Sequence, residues 1–235
     1  MRITVGWRGW LVATIPAVLA AAPARAQEPA WPDALLTRTQ ALALVQELNA
    51  GILASRSATA SLEAWCGDHA LAPEPRVVAD VVPAAPVPPS TEQRARLQVD
   101  SAEPVRHRRV RLRCGTHVLS VADNWYVPGR LTPEMNRLLN ETDTPFGRVV
   151  APLEPYRRTF LARLLWQPLR AGWTHAQSAV APCASAGALH IPDALFEHRA
   201  LVYGRDHRPI AEVHEVYQRG LMSFPPPEPC GASPD

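Results

Sequence analysis

The sequence predicts an α+β domain built on a mainly antiparallel sheet. Two observations predict it. Helical spacing of apolar residues is confined to the first third and the middle of the chain, whereas period-two alternation occurs in two pairs of runs, each pair split by a tight-turn sequence. The resulting order, helices, hairpin, helix, helix, hairpin, is that of an α+β fold. With 235 residues the chain suits one such domain and can bury a substantial core.

The first 26 residues read as an export signal. Arg2 and Arg8 precede an apolar run over residues 10–22, and Ala24-Arg25-Ala26 supplies a small-x-small cleavage pattern, so the mature chain is expected to begin at Gln27. The run is shorter than the roughly 20 residues a bilayer span needs, so no stable membrane anchor is expected after cleavage. The signal lacks adjacent arginines, and no cysteine follows it to carry lipid. The expected location is the periplasm or the exterior.

Residues 32–66 carry Leu35, Leu36, Leu42, Leu44, Val45, Leu48, Ile52 and Leu53 at helical spacing, and residues 57–65 form a second short helix. Prolines at 73, 75, 83, 86, 88 and 89 make residues 72–90 an extended connection along the surface. Residues 92–99 read as a strand returning the chain to the sheet. Residues 105–112 and 118–127, separated by Cys114-Gly115-Thr116, read as a long β-hairpin. Residues 131–139 form a helix that ends before the Thr144-Pro145-Phe146-Gly147 turn. The arginine-rich segment 156–166, with Phe160, Leu161, Leu164 and Leu165, reads as a further amphipathic helix over the sheet. Residues 194–203 and 210–221 make the closing hairpin around Gly204-Arg205-Asp206-His207-Arg208-Pro209. The domain is thus expected over residues 27–224, followed by a proline-rich tail at 225–235 with little apolar content to pack.

Composition excludes several functions. The formal charge is +2, but Arg2, Arg8 and Arg25 leave with the signal, so the mature chain has 21 basic and 22 acidic residues, or −1, and no footing for nucleic acid. No lysine occurs, which excludes Schiff-base chemistry and a lysine-bearing phosphate loop. The histidines lack metal-ligand spacing, and GxSxG, HExxH and GxGxxG sequences are absent, so no metal and no cofactor are expected. Cys66, Cys114, Cys183 and Cys230 lie far apart in a chain read as exported, which favours two disulfides over a zinc site or a reactive thiol. Three pairings are compatible with that; Cys66 with Cys114 and Cys183 with Cys230 is weakly preferred.

Five short blocks, taken in order, resemble the motif set of chorismate lyase. They are the Arg-His-Arg-Arg-Val-Arg-Leu run from Arg106 to Leu112, Asn124-Trp-Tyr-Val-Pro128, Thr144-Pro-Phe-Gly-Arg148, Arg158-Thr-Phe160 and Pro209-Ile-Ala-Glu-Val-His-Glu-Val-Tyr217. The resemblance spans roughly residues 57–221; no block is diagnostic alone. It implies a sheet of about six antiparallel strands with helices packed on it and an internal ligand cavity, the architecture chorismate lyases share with the effector-binding domains of some transcription regulators. It also implies cofactor-free elimination of pyruvate from chorismate or a related enol ether to give 4-hydroxybenzoate.

On this resemblance Arg108 clamps a substrate carboxylate, with Arg109 as the one-residue-slip alternative. Read alone, an arginine beside Arg106, Arg109, Arg111 and Arg113 belongs to a solvated face; the motif order singles out Arg108. Arg158 is the second clamp, and a planar guanidinium suits both roles because it grips a carboxylate with two hydrogen bonds. Glu215 maps onto the family's proton-handling glutamate, the loop at Phe146 and Gly147 offers backbone groups to the ligand, and a tight turn there calls for Gly147. Ala58 stands where the family has a pocket-lining methionine, a departure that suggests a roomier or differently shaped cavity. Export and Ala58 both favour the alternative: a non-catalytic periplasmic binding or sensing protein for a small aromatic carboxylate.

Overall fold

The computed structural model describes residues 30–83, 85–173 and 187–228. The expected signal segment, Cys183 and Cys230 lie outside these residues. The α+β class read from the sequence is the class of the structure: six strands form one antiparallel sheet, with helices packed against it.

Helix α1 (Leu35–Ala54) buries Thr37, Ala41, Val45, Leu48 and Ile52, one stripe at helical spacing. Helix α2 (Ala58–Asp68) starts where the Ser57 hydroxyl accepts the Ala60 N–H, and buries Ala58, Thr59, Leu62, Trp65 and Cys66. Strand β1 (Val77–Val81) occupies the proline-free window inside the stretch expected to be only a connection, and its alternating Val77 and Ala79 are buried. Helix α3 (Thr91–Leu97) replaces the strand expected at 92–99. The cause is a capping box: Ser90 Oγ accepts the Gln93 N–H at 3.1 Å, and Gln93 Oε1 accepts the Ser90 N–H at 2.9 Å.

Strands β2 (Arg106–Cys114) and β3 (His117–Tyr126) make the expected hairpin, turning at Gly115, whose φ of +54° suits glycine. Helix α4 (Pro133–Glu141) is capped by Thr132, whose hydroxyl accepts the Met135 N–H, and the one-turn helix α5 (Phe146–Val149) follows Pro145. The helix expected at 156–166 is instead strand β4 (Tyr156–Leu164), paired with β5 (Ala194–Tyr203) at one edge of the sheet. The pairing register shifts between Thr159 and Leu161, and this bulge breaks period-two alternation, so the apolar residues fall at a spacing that imitates a helix. On an edge strand Phe160 and Leu165 stay exposed, and the Arg96 guanidinium sits 4.9 Å from the Phe160 ring centre.

Strand β6 (Pro209–Gln218) completes the sheet in the order β1-β2-β3-β6-β5-β4. Two three-stranded meanders therefore meet at the β3–β6 pair. α1 and α2 pack on one face over Val110, Leu112, Ala122 and Tyr217, and α4 and α5 join that face around Tyr126 and Ala211. The opposite face is largely polar, and α3 covers one end of it through Leu97 and an Arg96–Glu212 ion pair at 2.7 Å. The segment after β6 is clamped under the helices, since the Trp31 indole donates to Phe224 O and the Trp65 indole to Leu221 O. At the start of the expected tail, Gln40 donates to Pro227 O at 2.8 Å.

Cys66 at the end of α2 is bonded to Cys114 at the end of β2, across a sequence separation of 48. Closing a loop of that length in the unfolded chain is worth about 4 kcal/mol on a chain-entropy basis. A Cys66→Ala/Cys114→Ala variant is expected to lose roughly that amount in urea unfolding; an unchanged midpoint would mean that the bond adds nothing to stability.

Candidate functional site

The helix-covered face of the sheet presents an inward set fixed by register. Arg108 lies opposite Asn124, which lies opposite Val213; Val110 lies opposite Ala122, which lies opposite Glu215, and Glu215 lies opposite His198. Because side chains alternate along β2 from Arg106 to Leu112, Arg108 points inward and is buried, while Arg109 points to the other face and pairs with Asp123 at 3.5 Å.

Two cavities flank the Arg108–Asn124 pair. The smaller, about 50 Å³, is lined by Ala58 of α2, Phe146 and Gly147 of α5, and Asn124, Arg157 and Glu215 of the sheet. It has room for a few waters only. The larger, about 650 Å³, is lined by Arg108 with Tyr126, Leu139, Asn140 and the proline-rich segment after β1. That volume suits a small organic ligand.

Arg157, not Arg158, shares the small cavity with Glu215. Arg157 is opposite Val202 on the inward face, whereas Arg158 is opposite Leu201 and exposed. The expected clamp is displaced by one residue because a helix gives no alternation to read, and in a strand a single step changes the face. Arg157 Nη2 donates to Glu215 Oε2 at 2.8 Å, and the Tyr217 hydroxyl donates to the same oxygen at 3.1 Å. The Arg157 and Glu215 side chains are only 5% and 9% exposed.

The electrostatics follow from burial. Burial opposes the Arg157 cation, but Glu215 and Tyr217 beside it more than offset this and hold the guanidinium above its ordinary value. Burial also pushes the Tyr217 phenol well up, so it remains a hydrogen-bond donor to Glu215. His198, pushed down to about 4 by burial, is neutral; its Nε2 is 2.7 Å from Asn49 Oδ1 and its Nδ1 has no partner.

Arg108 differs from Arg157 in having no counter-ion among the described residues. It is 7% exposed, its Nη2 donates weakly to Thr142 O at 3.4 Å, and its Nε and Nη1 are buried with no partner. Burial pulls its guanidinium below the ordinary value, opposed by Tyr126. The unpartnered Nε–H and Nη1–H leave Arg108 with donors to offer an anion such as a carboxylate.

Ala58 lines the small cavity together with Arg157 and Glu215. One expectation for the helices needs correction. Gly147 lies in α5 without a positive φ, so a turn is not its reason; a Cβ there would sit 2.9 Å from Thr59 Oγ1, so the Thr59 side chain or α5 would have to shift. Phe146 is buried with its ring 6.0 Å from Tyr126. Sequence reasoning missed Arg157, Asn124 and Tyr217. Reading 156–164 as a strand would have found the first, and the step of two from Glu215 the last.

Among the described residues, no three His, Cys, Asp or Glu side chains are grouped as metal ligands, and no helix is long and apolar enough to cross a membrane. No protein-family model matches the chain. The chain is 46% identical over 198 residues to the uncharacterized protein y4mC of Sinorhizobium fredii (strain NBRC 101917 / NGR234), covering 84% of this chain and 83% of that one. Among solved structures it is similar to the effector domain of PhnF from Mycobacterium smegmatis, with TM-score 0.43 and 13% identity over 69% of this chain and 88% of that one. It is also similar to the ligand-binding domain of a putative GntR-family transcriptional regulator from Bordetella bronchiseptica, with TM-score 0.38 and 14% identity over 60% and 82% of the two chains.

Proposed function

We infer, for a chain that belongs to the family of the Sinorhizobium fredii protein y4mC, that it binds a small organic carboxylate in the larger cavity without transforming it. The observation that carries this reading is Arg108: a buried guanidinium with Nε and Nη1 unpartnered, on the wall of a 650 Å³ cavity. An uncompensated buried cation is costly, and an anionic ligand relieves that cost on binding. The chorismate lyase resemblance narrows the ligand to a small aromatic carboxylate, for which 4-hydroxybenzoate is the probe. The Cys66–Cys114 bond supports an exported, periplasmic or secreted location.

Chorismate lyase activity is the second reading, favoured because Glu215, Ala58, Phe146 and Gly147 line one cavity. Against it, the Glu215 carboxylate is already held by Arg157 and Tyr217, and the remaining space is far below the size of chorismate.

One experiment separates the readings. The oxidised protein from Gln27 onward is incubated with chorismate while 4-hydroxybenzoate and pyruvate are followed, and its melting temperature is taken with and without 4-hydroxybenzoate. The expected result is no release above the spontaneous rate and a raised melting temperature, since ligand at a hundredfold excess over Kd adds about 2.7 kcal/mol of stability. Equal release of both products would establish the lyase instead, and neither release nor stabilisation would remove both readings.

A further inference from the structure

The larger cavity is walled on one side by residues 86–89, Pro86-Val87-Pro88-Pro89, which cross the open end of the β2–β3 hairpin as a strap. Three of the four are prolines and have no backbone N–H, so Val87 alone can donate one from this strap. It donates to His107 Nδ1 at 3.2 Å, and its carbonyl accepts from the Trp125 indole at 3.0 Å. These two bonds pin the strap to the sheet.

The first bond fixes the state of His107. A backbone N–H can only donate, so Nδ1 carries a lone pair and the ring proton is on Nε2, which donates to Asp123 Oδ1 at 2.8 Å. The His107 side chain is only 4% exposed. Asp123 faces it from β3, where Trp125 also packs on the ring with centroids 5.0 Å apart; Arg109 shares Asp123 at 3.5 Å, and Arg94 of α3 lines the same cavity. A second proton would go to Nδ1, where it would face the Val87 N–H donor to donor. The His107–Asp123 contact would then strengthen as an ion pair while the strap lost one of its two pins.

We propose that His107 is the pH-responsive pin of the 86–89 strap: neutral, it holds the strap against the sheet beside the Arg108 cavity, and protonated, it lets the strap lift and open the cavity wall. The functional meaning of that opening rests on the ligand-binding reading above; the pin itself does not.

The test follows Val87 amide hydrogen exchange, as protection relative to the intrinsic rate, from about pH 8 down to about pH 5. In the wild-type protein Val87 protection is expected to fall roughly five- to tenfold toward acid, the worth of one hydrogen bond. Val82, whose N–H donates to Arg109 O just past the end of β1, serves as the internal control and should hold its protection. In His107→Gln, whose amide can accept from Val87 and donate to Asp123 at any pH, Val87 protection should stay constant. Constant protection in the wild type, or an equal fall in His107→Gln, would overturn the proposal. As a second readout, 4-hydroxybenzoate should dissociate faster at acid pH from the wild type but not from His107→Gln. If 4-hydroxybenzoate binds at no pH while Val87 behaves as described, the pin is supported and the ligand reading falls.

Discussion

Arg108→Met is expected to raise the melting temperature of the ligand-free protein and to abolish its stabilisation by 4-hydroxybenzoate. The methionine keeps much of the reach of the arginine stem and loses a buried cation whose Nε and Nη1 have no partner. A buried polar group left unsatisfied costs about 1–3 kcal/mol, and more when charged, so the variant should gain at least that much. At this chain length, each kcal/mol corresponds to roughly 2–4 °C in Tm. Differential scanning calorimetry with and without ligand reads both effects. A variant that is destabilised and still responds to 4-hydroxybenzoate would show that Arg108 is structural and the ligand sits elsewhere. Stability given up at a single residue in this way is the usual signature of a site kept for binding.

Glu215→Ala is expected to destabilise the protein by about 3–5 kcal/mol, because it leaves Arg157 buried without its counter-ion. A purely catalytic glutamate would be lost without harm to the fold, so this expectation departs from what the lyase reading alone implies. Urea unfolding measures it. The double variant Arg157→Met/Glu215→Leu should recover most of the loss, since a buried ion pair is often replaced by apolar side chains at little cost. A Glu215→Ala protein as stable as the wild type would mean that the pair is not formed in solution, and would return Glu215 to the list of free acid–base groups.

The two arginines show why these predictions fall where they do. Arg157 is matched by a carboxylate two strands away in its own meander and ties β4 to β6; Arg108 is equally enclosed and unmatched among the described residues. The same residue type on the same face therefore serves packing in one place and recognition in the other. Only the partner list distinguishes them, and a partner list is a property of the folded chain.

The legible parts of the sequence were those where local chemistry and tertiary packing agree. Both hairpins, α1, α2 and α4 follow from periodicity, whereas the inward placing of Arg108 rested on the motif order, with Arg109 as the one-residue alternative that the strand register excludes. The misreadings were those where two local signals compete. At 92–99 the Ser90–Gln93 capping box outweighed a strand-like alternation, and at 156–164 a bulge gave an edge strand the apolar spacing of a helix. From the second error followed the choice of Arg158 over Arg157, since face assignment is only as good as the period assumed.

By itself the sequence determined the α+β class, the antiparallel hairpins and the absence of lysine chemistry, because these follow from composition or from residues near one another in the chain. Tertiary structure alone decided that Cys66 meets Cys114. It also decided that Glu215 is held by Arg157 while Arg108 goes unpartnered, and that the large cavity lies beside the latter. The physical reason is distance along the chain: Arg157 and Glu215 are 58 residues apart and Cys66 and Cys114 are 48 apart, and no local period or composition encodes which buried charge will find its counter-ion.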